Sequence, residues 1–141
     1  MTGVGVLRSL PSSQCGAVMA HELCHALLTL KYQVTSTRDL PPKVSEGLCE
    51  LFAYLWLCDR KLQNQTQQHQ HQHRESGLEG CGGGRGGGGG EAEKFLELHL
   101  SNEDPVYGGG LRAALEGYER CGRDVNKLLD HAVKHKAFPR R

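Results

Sequence analysis

The chain has 141 residues and a net charge of +1. That is long enough for one domain with a modest core, and too neutral to argue for nucleic acid or an anionic membrane as a partner. No apolar stretch reaches membrane-spanning length and no basic-then-apolar leader opens the chain, so a cytoplasmic, reducing setting is expected. The six cysteines, Cys15, Cys24, Cys49, Cys58, Cys81 and Cys121, form no CxxC pair; several sit in apolar helical runs, where a thiol behaves as a small hydrophobe.

From the N-terminus, Val4 and Val6 alternate with Gly5 and Leu7, which predicts a short edge strand that Pro11 stops. Ser12 or Ser13 caps a helix over roughly Gly16 to Lys31. It is apolar on most sides and so expected to be buried. Inside it stands Ala20-His21-Glu22-Leu23-Cys24-His25-Ala26, an H-E-x-x-H pattern. Residues four apart on a helix share a face, so His21 and His25 can offer two imidazoles to one metal ion. Glu22, beside the first ligand, can reach a water there. Two nitrogen ligands, an open position and a carboxylate base make the zinc-peptidase arrangement. The bland alternative is a buried helix with two chance histidines.

A polar connection from Tyr32 to Leu40 leads to Pro41-Pro42, which opens a second helix over about Lys43 to Leu62. Its middle is apolar nearly all round, which again predicts burial. Glu46 and Glu50 lie one turn apart near its start. A carboxylate on a buried helix is costly unless it is paired or binds metal. Glu46 can supply a third ligand, and Glu50 can accept a hydrogen bond from the outer nitrogen of a ligand histidine. Against this stands an ordinary solvated first turn, where the helix dipole favours both acids.

Gln63 to Gly90 is Gln-rich with His69, His71 and His73, then carries ten glycines between Gly77 and Gly90. Such a composition buries too little to offset its ordering entropy, and a disordered loop is expected. Phe95, Leu96 and Leu98 then mark a short helix ending near Asn102. Asp104-Pro105 predicts a turn, and Tyr107-Gly108-Gly109-Gly110 a flexible joint. A helix over Leu111 to Cys121 should stop at Gly122. Asp124 should cap a last helix whose apolar residues follow i, i+3, i+4 spacing. His131 and His135 repeat the four-residue spacing with no acid between them, and read as surface residues at a helix C-terminus. The chain thus divides into a zinc-site region (1–62), a loop (63–90) and a helical remainder of the same domain (91–141).

The sequence resembles the C-terminal peptidase region of the plant DA-one family, LIM-domain, ubiquitin-activated zinc peptidases that limit organ growth. The resemblance is carried by Met19 to Ala26, by Ser45-Glu46-Gly47-Leu48-Cys49 with Ala53 to Leu57, by Pro105-Val106-Tyr107-Gly108, and by the ending Ala137-Phe138-Pro139. It implies a mainly α, gluzincin-like lobe holding one zinc ion on His21, His25 and Glu46. Glu22 would be the base and protein chains the substrates, with ubiquitin-pathway proteins as partners. It leaves Glu50 compatible with hydrogen-bonding a ligand. Tyr107 is the candidate oxyanion donor, against an ordinary packed tyrosine. Ser45 stands where the family usually has an acid, and Glu50 where it has glutamine. LIM clusters, ubiquitin-interacting helices and most of the preceding sheet are missing, so a fragment or short form is expected. A catalytically inactive pseudo-peptidase or regulatory interaction module is the rival.

Overall fold

In a computed structural model, residues 12–72 and 88–139 are described, and among them the chain is five helices with no strand. The expected strand over Val4 to Leu10 lies outside the described residues, as does residue range 73–87.

Ala, Leu and Met, all strong helix formers, carry α1 over Ser12–Tyr32. It ends where Gln33 takes a left-handed conformation (φ 57°) and the Gln33 and Val34 amides bond back to Thr29 and Leu28. The connection is then clamped by Asp39, whose Oδ2 accepts from the amides and hydroxyls of both Thr35 and Ser36 at 2.9–3.1 Å. These bonds hold the Asp39 carboxyl below its ordinary value.

Helix α2 (Pro42–Gln72) starts with proline in its first turn, and the Pro41 carbonyl takes the amides of Val44 and Ser45. It runs ten residues past the expected end at Leu62. Glutamine, lysine and arginine all favour helix, and Gln63 bonds back to Asp59 at 2.6 Å. The expected loop is therefore shortened at its start by α2. At its far end it is shortened by α3, which spans Gly88–Ser101.

Helix α4 (Tyr107–Arg120) includes the three glycines expected to form a flexible joint. Two of them, Gly108 and Gly110, sit at close backbone approaches instead. A Cβ on Gly47 of α2 would lie 2.6 Å from the Gly110 carbonyl oxygen, and one on Gly108 would overlap the Asn102 backbone. Absence of side chains lets α2 and α4 cross in near backbone contact. Asp104 secures the start by accepting from the amides of Val106 and Tyr107 at 2.8 and 2.9 Å. Gly122 (φ 69°) follows the end of α4, as expected. Asp124 caps α5 (Val125–His135) through the Lys127 amide.

Helix α2 is the hub, packed against α1, α3 and α4. The main core joins Cys24 and Leu28 of α1, Leu48 and Leu51 of α2, Leu111 of α4, and Leu128 and Leu129 of α5. A smaller cluster seats Ala92, Phe95 and Leu96 of α3 against Ala17, Ala53, Trp56 and Leu57. Helix α1 departs from expectation. Its inner face is buried, but Val18, Met19, Leu23 and Leu30 are exposed, Leu23 at 64% and Leu30 at 84%. Apolar residues all round a helix satisfy burial on every side, yet here only one side of α1 meets the other described helices. Among the described residues, no helix is long and apolar enough to cross a membrane.

Candidate metal centre

Helices α1 and α2 lie side by side, so the histidines of one face the acids of the other. The Nε2 atoms of His21 and His25 are 3.2 Å apart. Oε2 of Glu46 lies 3.4 Å from the first and 3.5 Å from the second. Three donor atoms thus form a nearly equilateral triangle. A tetrahedral ion with bonds of about 2.0–2.1 Å needs ligand atoms about 3.3 Å apart. The donors present fit zinc on that measure.

A second possible third donor is at hand. His21, His25 and Cys49 offer atoms within 4.8 Å of one another. Cys49 is fully buried. A hydrogen bond with the Cys24 thiol and burial drive its own thiol well above the ordinary range, and nearby Glu46 and Glu22 add to that. Metal binds thiolate, not thiol. The Glu46 carboxylate, by contrast, already closes a triangle with the two imidazoles.

Glu50, one turn on from Glu46, bridges two rings. Its Oε1 lies 3.1 Å from Nδ1 of His21 and its Oε2 2.6 Å from Nδ1 of His99 on α3. Burial alone would raise the Glu50 carboxyl; hydrogen bonds and charge from His21 and His99 outweigh it and hold the group down at about 2. Glu50 is therefore ionised and can only accept, so both rings donate. Burial likewise works against charge on His21, but the hydrogen bond and charge of Glu50, with Glu46 and Glu22, raise its pKa. With Nδ1 donating to Glu50, His21 turns Nε2 toward Glu46 and His25.

Glu22 stands on the wall of a cavity of about 320 Å³ with His21, Glu50, His99 and the apolar Ala17, Val18, Ala53 and Phe95. A second cavity of similar size borders His25 and Glu46 and is lined by Thr29, Thr35, Ser36 and Thr37. The cluster sits between the two. Tyr107 lines a third cavity, with Glu50, Phe95, His99 and Asn102, and is itself exposed. Five residues singled out in the sequence, His21, Glu22, His25, Glu46 and Glu50, are thus brought together; Tyr107 borders the outer side of Glu50 and His99. His99 was not singled out. Its signal was its place four residues after Phe95 on α3, a polar side chain on the face that packs inward.

Residues 1–135 match the sequence family described as DA1-like: Protein DA1. The chain is 30% identical to Protein DA1-related 2 of Arabidopsis thaliana, over 99% of this chain and 26% of that protein. It is 29% identical to Protein DA1 of the same plant, over 99% and 25%. With LIM domain-containing protein HDR3 of Oryza sativa subsp. japonica it shares 34% identity, over 99% and 28%. The chain thus spans about a quarter of the length of the curated relatives it matches. No solved structure matches. With a family match over nearly its whole length, the chain belongs to the DA1-like family.

Proposed function

We propose that the chain is the metal-bearing part of a zinc-dependent peptidase of the DA1 type, hydrolysing peptide bonds in protein substrates. One observation carries the reading: a three-donor triangle of 3.2–3.5 Å made by His21, His25 and Glu46, with Glu22 sharing a cavity wall with His21. Zinc, when bound, polarises the scissile carbonyl and acidifies the attacking water. Glu22 takes the proton from that water and returns it to the leaving amine. Glu50 holds the His21 ring in the tautomer and orientation that ligation needs. Ala17, Val18, Ala53 and Phe95 line one flanking cavity, which suits an apolar substrate side chain, and cavities on both sides leave room for an extended chain. Tyr107 is retained as the oxyanion donor to be tested by Tyr107→Phe. Ubiquitin-pathway proteins are the proposed partners.

The experiment pairs zinc content with cleavage of an unfolded protein substrate, wild type against Glu22→Gln. The reading predicts one zinc in both and cleavage only in the first. Equal cleavage by the two removes the mechanism.

A second reading has its own support. The outer face of α1, beside Glu22, exposes Met19 and Leu23, so the groove has no cover on that side among the described residues. A regulatory or pseudo-peptidase form would keep the metal and cleave nothing. It is favoured if zinc binds and neither this chain nor an N-terminally extended one cleaves.

A further inference from the structure

We propose that His99 of α3 is a positioning residue for the metal centre, acting on His21 through Glu50. The role rests on the metal reading above. Its basis is the unbroken path His99 Nδ1 to Glu50 Oε2 at 2.6 Å, then Glu50 Oε1 to His21 Nδ1 at 3.1 Å. An ionised carboxylate has two oxygens and free rotation about its last bonds. A donor on one oxygen alone leaves the other free to swing. Here each oxygen has its own imidazole, on different helices, so the carboxylate plane is fixed from both ends. His21 is then held in the tautomer that leaves Nε2 for the metal.

The surroundings of His99 support this assignment over simple packing. Its side chain is 26% exposed and Glu50's is 13%, so their bond is partly shielded from water. His99 and Glu50 also form part of the walls of two neighbouring cavities. Helix α3 is held at this place by Ala92 and Phe95 in the smaller apolar cluster and by the Lys61–Glu93 ion pair at 2.7 Å. Arg112 of α4 also holds its C-terminal end, donating to the carbonyls of Leu100 and Asn102. The consequence is that a helix contributing no ligand sets the geometry of the ligands. Docking of α3 and binding of metal should therefore reinforce each other.

The test uses the full chain carrying His69→Gln, His71→Gln and His73→Gln, so that those histidines do not compete for metal. Zinc affinity is read by competition with a chromophoric chelator, and site geometry by the visible spectrum of the cobalt(II) form. His99→Leu should weaken zinc about 10- to 100-fold, the usual cost of losing a group that orients a ligand, and alter the cobalt spectrum. His99→Asn should recover most of the affinity, because its amide nitrogen falls near the position of Nδ1. His99→Gln places its nitrogen farther out and should behave like His99→Leu. Combined with Glu50→Gln, His99→Leu should cost nothing further. Unchanged affinity and spectrum in His99→Leu, while His21→Ala loses zinc, overturns this role alone. An undiminished His99→Leu loss in the Glu50→Gln background also overturns it. If His99→Leu fails to fold by circular dichroism, the Asn and Gln variants decide: equal affinities overturn the role. Equal zinc uptake by the reference and His21→Ala overturns the metal centre and this role together.

Discussion

Two histidine pairs in this chain share one sequence spacing and differ in everything around them. His21 and His25 on α1 stand with ring centroids 5.0 Å apart; His131 and His135 on α5 are 4.4 Å apart. A helix guarantees that much in both cases. Around the first pair, α2 delivers Glu46 and Glu50. Around the second, the acid nearest in sequence, Asp130, is engaged by the Tyr32 hydroxyl at 2.7 Å. Among the described residues, neither His131 nor His135 pairs with a carboxylate. The spacing makes a pair in both places, and at the first a neighbouring helix brings acids to it.

The largest expected difference lies at Glu22, which has no counterpart between His131 and His135. Glu22→Gln should lower peptide cleavage by about two to four orders of magnitude while zinc content, measured by atomic absorption, stays at the wild-type ratio. Next comes the metal itself, titrated in the His69, His71, His73→Gln background. His21→Ala should weaken zinc by more than the roughly 10- to 100-fold typical for an orienting group, whereas His131→Ala should leave it unchanged. Glu46→Gln should weaken it more than Glu50→Gln; the reverse order would exchange their roles.

Helix α4 crosses α2 at Gly47, next to Glu46. A methyl group on Gly47 meets the Gly110 backbone at 2.6 Å. Gly47→Ala should therefore cost about 1–3 kcal/mol in overpacking, lower the thermal midpoint by several degrees, and weaken zinc by displacing Glu46. Retained stability with full zinc affinity would show that the crossing can open without moving the acid.

The metal-free protein should carry a pH signature absent from the α5 pair. Glu50 is held down at about 2, against an ordinary 4.5. Its stabilisation is therefore complete above its unfolded value and is lost as pH falls from about 4.5 toward 2. His21 is raised above 6.5, so its contribution is complete below that value and fades as pH climbs through the raised one. Melting in the presence of a chelator should be most favourable between about 4.5 and 6.5 from these groups. The acid limb should amount to on the order of 1–2 kcal/mol after screening of a half-buried carboxylate. Glu50→Gln should flatten that limb. The smallest effect is expected on the exposed side of α1, where Leu23→Ser should change stability by less than about 0.5 kcal/mol. A larger loss in chemical denaturation would mean that this face is covered in solution.

How much of this could be read from the sequence follows from distance along the chain and from what glycine hides. His21, His25, Glu46 and Glu50 were legible because helical spacing and a short connection bring them to facing sides of two adjacent elements. His99 was not, because it approaches Glu50 from 49 positions away, and its position depends on how α3 docks. Gly108 and Gly110 read as freedom but are compression: composition records the missing side chain, and only the neighbouring backbone shows why it is missing. The glutamine run misled in the opposite way. Low apolar content predicts a loop, yet α2 was already nucleated and residues with good helix propensity simply extended it. Helix α1 read as buried because its sequence is apolar around most of its circumference, and a hydrophobic pattern does not say how many sides have a partner.

The clamp of Asp39 on Thr35 and Ser36 also bears on how this protein acquires its structure. It closes a connection of nine residues, 33–41, between the two helices that carry His21, Glu22, His25 and Glu46. Contacts so near in sequence cost little loop-closure entropy. A metal ion held by the proposed donors His21, His25 and Glu46 would therefore cross-link the two arms of one short hairpin, and would act as a folding template rather than a late addition.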